Sequence, residues 1–178
     1  MRTFFALELP AGLILQLADW RDRQLAGCGR AVPPANFHIT LAFTGKLPGG
    51  ALERLELAVD SWLAGDPPRG GELLLDRIGY WPRPGIYWLG PGSWPDSLAR
   101  LASKLRQLGS AAGAPRDRNP FAPHVTLFRN CEGAPPAPAQ LPVFSFPYSH
   151  FTLFESRQGK SGVTYHPLRQ WELAPAGG

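Results

Sequence analysis

Cysteine, lysine and long apolar runs are all scarce in this chain, and each shortage removes a class of reading. Only Cys28 and Cys131 are present, with no C-x-x-C and no disulfide framework. That excludes a disulfide-built secreted scaffold and predicts a reduced protein of the cytoplasm. No stretch approaches about 20 apolar residues, so no transmembrane helix and no membrane partner are expected. The first residues, M-R-T-F-F-A-L-E-L-P, begin like a leader, but Glu8 and Pro10 interrupt the apolar run too early for a signal peptide. Lysine occurs only at positions 46, 104 and 160, against fifteen arginines. The formal charge of +4 suits an anionic partner, and equally fits ordinary surface charge. Low-complexity tracts and charge runs are absent. With 178 residues, 44% of them apolar, the chain predicts a single domain over 1–178 with a real core.

What is present is a repeat. His38-Ile39-Thr40-Leu41 returns as His124-Val125-Thr126-Leu127. The apolar members favour strands. On a strand, His and Thr two apart share one face and the apolar pair shares the other. The apolar face enters a core while an imidazole and a hydroxyl look into a cleft. The two histidines lie 86 residues apart, close to half the chain. That spacing points to two similar halves, each giving one strand to a shared cleft. Four His and six Thr predict about 0.13 His-x-Thr matches by chance, and three occur. The third, His150-Phe151-Thr152-Leu153, lies only 26 residues after His124 and breaks the half-chain symmetry. It is read as a decoy, as is His166, which precedes Pro167.

Taken in order, the pattern predicts a buried strand over 3–9 and a helix over 11–25 with Leu13, Leu17, Trp20 and Leu25 inward. A Gly- and Pro-marked loop over 27–34 follows, and then the first His-x-Thr strand. A helix over 48–63, strands over 72–79 and 85–89, and a helix over 95–108 come next. After a polar loop the second motif strand follows. The proline-rich stretch 132–142 reads as an exposed excursion. Strands over 143–146, 149–156 and 164–173 close the fold, and a frayed tail over 174–178 ends it. Helices and strands that do not strictly alternate argue an α+β protein with mainly antiparallel sheet.

N-F-H-I-T-L-A-F-T-G and F-A-P-H-V-T-L-F-R, with R-T-F-F-A-L-E-L-P, G-Y-W-P-R-P-G-I-Y-W-L-G and G-V-T-Y-H-P-L-R-Q-W, resemble the 2H phosphoesterases. The similarity is greatest to the RNA 2′,3′-cyclic phosphodiesterases, also called 2′-5′ RNA ligases, and covers nearly the whole chain. The resemblance implies a bilobal fold of two intertwined, pseudo-symmetric lobes around a cleft. It also implies hydrolysis of a terminal 2′,3′-cyclic phosphate to a 2′-phosphate. His124 would protonate the departing O3′ and His38 would assist water. RNA ends carrying a cyclic phosphate are the implied partner, and a monomer is expected.

Two histidines suit in-line displacement at phosphorus, which needs a base at one apex and an acid at the other. Thr40 and Thr126 stand about 6.6 Å along each strand and can hold non-bridging oxygens. No metal or other cofactor is expected, because neither motif strand contains Asp or Glu. The resemblance places a phosphate-contacting arginine at Arg129. Strict alternation opposes this, since an offset of five from His124 is odd, and a bulge after Leu127 is required. Phe43 is the symmetric counterpart, either a base platform or core. Tyr80, Trp81, Tyr87 and Trp88 are read chiefly as core, with base stacking as the rival. Arg116 and Arg118 either steer RNA or decorate a solvated loop. The rival functions are 2′-5′ ligation, hydrolysis of a small cyclic nucleotide, and an RNA-binding module without catalysis.

Overall fold

In the computed structural model, which describes residues 1–177, three helices and nine strands build two antiparallel sheets. The chain runs β1 (Arg2–Glu8), α1 (Ala11–Gln24), β2 (Arg30–Ala31), a 3-10 turn (Pro34–Asn36), β3 (His38–Lys46), α2 (Ala51–Gly65), β4 (Gly71–Trp81) and β5 (Ile86–Pro91). It continues through α3 (Asp96–Ala111), β6 (Val125–Arg129), β7 (Phe144–Tyr148), β8 (His150–Gly159) and β9 (Gly162–Glu172). One sheet has the order β3-β1-β8-β9 and the other β2-β6-β5-β4-β7. Their apolar faces meet in one core, in which Phe5, Ile39, Leu41 and Phe151 join Leu75, Leu89, Val125 and Phe146. This is the α+β, two-lobed architecture predicted above. Among the described residues no helix is long and apolar enough to cross a membrane.

The halves repeat a strand–helix–strand unit, β1-α1-β3 and β5-α3-β6, whose strands pair antiparallel. The helices are exchanged between lobes. Helix α3 follows a strand of the second sheet yet packs on β3 of the first. Helix α1 follows a strand of the first sheet, yet its Trp20 meets Phe144 of β7 edge-on. The exchange ties the lobes together.

The apolar stripe of α1 is Leu13, Leu17 and, unexpectedly, Arg21, each a full four residues apart and all buried. Trp20, expected inward, is only half-buried, because the next step of the stripe after Leu17 is position 21. Helix α2 starts at Ala51 and not at Pro48, since Gly50 before it takes a left-handed conformation (φ 76°) that cannot continue a helix. The loop over 27–34 holds β2, whose partner β6 lies about 100 residues later and leaves no local signal. The tail is not frayed at its start, because Ala174 bridges Arg69 and its carbonyl accepts from Gly70. Gly178 of that tail lies outside the described residues. The cysteines, read as unpaired, are joined as a Cys28–Cys131 disulfide across 103 residues, with their Cα atoms 5.2 Å apart.

Candidate active site

His38 opens β3 directly after the 3-10 turn. That turn aims the Asn36 carbonyl back at the ring, and Nδ1–H of His38 donates to it at 2.7 Å. A carbonyl can only accept, so the proton sits on Nδ1 and Nε2 is left as an acceptor. The Thr40 hydroxyl donates to that Nε2 at 2.9 Å. His124 repeats the device: its Nδ1–H donates to the Ala122 carbonyl at 2.7 Å. Both imidazoles are thus held in one tautomer by a carbonyl two residues upstream, which leaves Nε2 as the acceptor, engaged by Thr40 at His38.

The two motif strands share one cleft of roughly 760 Å³, lined by His38, Thr40, His124 and Thr126 together with Phe43 and Arg129. All six residues singled out in the sequence therefore meet in one place. Phe43 and Arg129 get there by the same irregularity. Across the β1–β3 ladder, Phe5 faces Ala42 and Ala6 faces Thr40, so Leu41 is an extra residue. Across β5–β6, Tyr87 faces Phe128 and Trp88 faces Thr126, so Leu127 is extra. Each bulge places two consecutive side chains in the core, Leu41 with Ala42 and Leu127 with Phe128. The residue at the odd offset is thereby turned outward. Phe43, 62% exposed, is a wall of the cleft and no part of the core.

Burial is the first cause of a low basicity at both rings. It pushes the His38 imidazole from the usual 6.5 down to about 4, and the Arg129 and His124 charges push the same way. Burial also lowers His124, again with help from Arg129, while its bond to Ala122 opposes the shift. Arg129 forms no ion pair among the described residues. Its guanidinium is a cation in the cleft free to meet an anion, as are those of Arg2 and Arg83.

Of the neighbouring rings, Tyr165 carries no signal of its own in the sequence, and Trp81, read there chiefly as core, lines the cleft. Tyr165 of β9 meets His38 edge-on with ring centroids 5.0 Å apart. Trp81 meets His124 edge-on at 4.6 Å. Trp81 and Tyr165 both line the cleft, whereas Tyr87 is buried. Trp88 lies across Gly79 on the neighbouring strand, where any Cβ would overlap the indole. Arg21 also escaped sequence reading. Its Nη1 donates to the Val32 carbonyl at 2.6 Å and to the Leu127 carbonyl at 3.1 Å. Its guanidinium also stacks near Phe37 and Phe128. It clamps the very residue that forms the second bulge.

His150 and His166 are outside the cleft. His150 faces Glu8 at 3.8 Å, and Thr152 beside it is fully buried. His166 pairs with the Thr164 hydroxyl at 3.0 Å. Arg116 and Arg118 are exposed in the loop before the second motif. Among the described residues no three His, Cys, Asp or Glu side chains gather as a metal-binding group.

The sequence profile of the 2′-5′ RNA ligase superfamily matches residues 9–160. The RNA 2′,3′-cyclic phosphodiesterase of Escherichia coli (strain K12) is 35% identical over 174 residues, which is 97% of this chain and 96% of that one. Its namesake from Thermus thermophilus is 30% identical, covering 97% of this chain and 90% of its own. Among solved structures, that of E. coli LigT complexed with 3′-AMP superposes with a TM-score of 0.86 at 35% identity, covering 97% of each chain. The profile spans most of the chain and the relatives cover it nearly end to end: this protein belongs to the 2′-5′ RNA ligase superfamily.

Proposed function

We propose that this protein is an RNA 2′,3′-cyclic phosphodiesterase that hydrolyses a terminal cyclic phosphate to a 2′-phosphate by two-histidine acid–base catalysis. The observation that carries the reading is the paired tautomer lock: both Nδ1–H groups are held by backbone carbonyls, which leaves two Nε2 atoms in one cleft. The relatives of known name are RNA 2′,3′-cyclic phosphodiesterases, and a similar solved structure is a complex with 3′-AMP, a ribonucleotide phosphate.

In the reaction, water attacks phosphorus opposite O3′. A bond forms from the water oxygen to phosphorus, and the bond from phosphorus to O3′ breaks. His38, held near 4 and so neutral around pH 7, takes the water proton on Nε2. His124 delivers its Nε2 proton to O3′. The negative phosphate between them favours the protonated ring, offsetting the burial that lowers His124. Arg129, Thr40 and Thr126 hold the non-bridging oxygens. Thr40 turns its hydroxyl from His38 to the phosphate, which frees the base for water. Phe43 offers an exposed ring to the base.

The monomer is taken as the working unit, since every group named above comes from one copy of the chain. An RNA substrate argues for the cytoplasm. The test is product analysis with a 2′,3′-cyclic mononucleotide and with a short RNA bearing a cyclic end. A 2′-phosphate is expected, and His38→Ala and His124→Ala should each lower turnover by at least about 10² while folded. Near-wild-type turnover in either variant would sink the mechanism. The superfamily's name keeps 2′-5′ ligation as a second reading, which the same assay detects as a joined product when a 5′-hydroxyl RNA is added.

A further inference from the structure

Beyond Asp96 at its first position, helix α3 presents an outer face with cations and no further carboxylate. From Ser97 to Arg116 the chain contains Arg100, Lys104, Arg106 and Arg116 and not one Asp or Glu. Helix α2, by contrast, mixes Glu53, Glu56 and Asp60 with Arg54. The inward stripe of α3 is Leu98, Leu101 and Leu105, which leaves Arg100, Ser103, Lys104 and Gln107 turned to solvent. Arg100 and Lys104 are like charges at i,i+4 on this face, and a polyanion lying along them relieves their repulsion.

The hollows on this face connect to the cleft. A groove of roughly 560 Å³ shares Arg106, Asp117 and Phe121 with the cleft wall and adds Arg116. A third groove, of roughly 390 Å³ between α3 and the end of α2, shares Ser103 and Gln107 with the second. It adds Arg100 and Lys104, with Asp66 as the single carboxylate in its lining. Arg106 is committed to Asp117 at 3.4 Å and to the Asn119 carbonyl at 2.7 Å. Arg100, Lys104 and Arg116 form no ion pair among the described residues. Phe121, under the Arg106 guanidinium at 5.8 Å, stands where cleft and groove meet. Free cations along a groove, with an aromatic ring at its entrance, are the chemistry that tracks a single nucleic-acid strand.

We propose that RNA on the 5′ side of the reacting nucleotide leaves the cleft past Phe121, crosses α3 at Ser103 and Gln107, and is held by Arg116, Arg100 and Lys104. The proposal rests on the reading of the cleft as a site for an RNA 3′ end, and adds that this enzyme prefers a strand to a mononucleotide. A strand ending in the cleft must continue away from it, and the groove that shares the cleft wall offers it a charged path. Arg100 and Lys104 are one helical turn apart, about 6 Å, so both can face consecutive stretches of one backbone.

The test compares wild type with the triple variant Arg100→Gln, Lys104→Gln, Arg116→Gln on two substrates. One is a 2′,3′-cyclic mononucleotide, the other an RNA of about eight nucleotides ending in the cyclic phosphate. The wild type should favour the longer substrate. The triple variant should lose at least about tenfold in kcat/KM on it, while the mononucleotide changes less than about twofold. The slope of log(kcat/KM) for the RNA against log salt should fall by about 2, from three lost phosphate contacts. Equal losses on both substrates, or no loss on either, overturn the path. Fluorescence anisotropy with the same RNA ending in a 2′-phosphate separates the two readings. If wild type fails to hydrolyse the mononucleotide yet the variant binds this RNA more weakly, the cleft has been misread and the path stands. Unchanged binding in the variant removes the path.

Discussion

Replacing Arg129 by Gln keeps a shorter amide donor and removes the charge. Arg129 lines the cleft beyond the Leu127 bulge and forms no ion pair among the described residues. A hydrogen bond to a charged group is worth about 1.5–3 kcal/mol. Its loss should therefore lower kcat/KM on a cyclic mononucleotide roughly 10- to 150-fold. The same charge also acts on the two imidazoles. A cation beside a histidine disfavours the protonated ring, so Arg129 lowers both His38 and His124. Without it, both rings become more basic. The acid limb of kcat/KM reports loss of neutral His38 and should begin near pH 4 in the wild type. The alkaline limb reports loss of protonated His124, and in the free enzyme it lies below the ordinary histidine value. In Arg129→Gln both limbs should move to higher pH, yet the acid limb stays below 6.5, because burial is the first cause and remains. Initial rates on the mononucleotide across the acid-to-neutral range measure plateau and limbs together. An unchanged plateau, or limbs that move to lower pH, would refute this account of Arg129.

Three further outcomes are expected. His150→Ala should leave turnover within a few-fold of wild type and cost at most about 1 kcal/mol, since its half-exposed pair with Glu8 lies outside the cleft; a hundredfold loss in a folded variant would require a different site. Arg21→Met removes two buried hydrogen bonds to carbonyls and two cation–π contacts, and should destabilise the fold by about 2–4 kcal/mol in urea unfolding. A change under about 0.5 kcal/mol would show that the clamp on the bulge is idle. Activity should survive EDTA in full, as the motif strands carry no carboxylate; loss restored by Zn²⁺ or Mg²⁺ would count against a purely two-histidine mechanism.

The parts of the site legible in the sequence are those governed by local rules. Alternation along a strand put His38 with Thr40 and His124 with Thr126, and the spacing of Leu13 and Leu17 marked the buried side of α1. Both follow from backbone geometry within a few residues, and the half-chain repeat of the motif supplied the pairing of the lobes. Alternation alone misdirects at Phe43 and Arg129. Their faces are set by bulges at Leu41 and Leu127, and a bulge is a mismatch of register against a partner strand, here β1 or β5. Register is a property of two segments together, so neither segment encodes it alone. The same holds for Tyr165, which reaches His38 because β9 joins a sheet that β1 and β3 share. Arg21 meets Leu127 across 106 residues, and Cys28 meets Cys131 across 103. Composition and periodicity thus determine which residue types carry the chemistry and which strand face each motif side chain takes. The orientation of Arg129 and the aromatic walls of the cleft come from long-range strand pairing, because contacts that distant in the chain exist only once the two lobes have closed on one core.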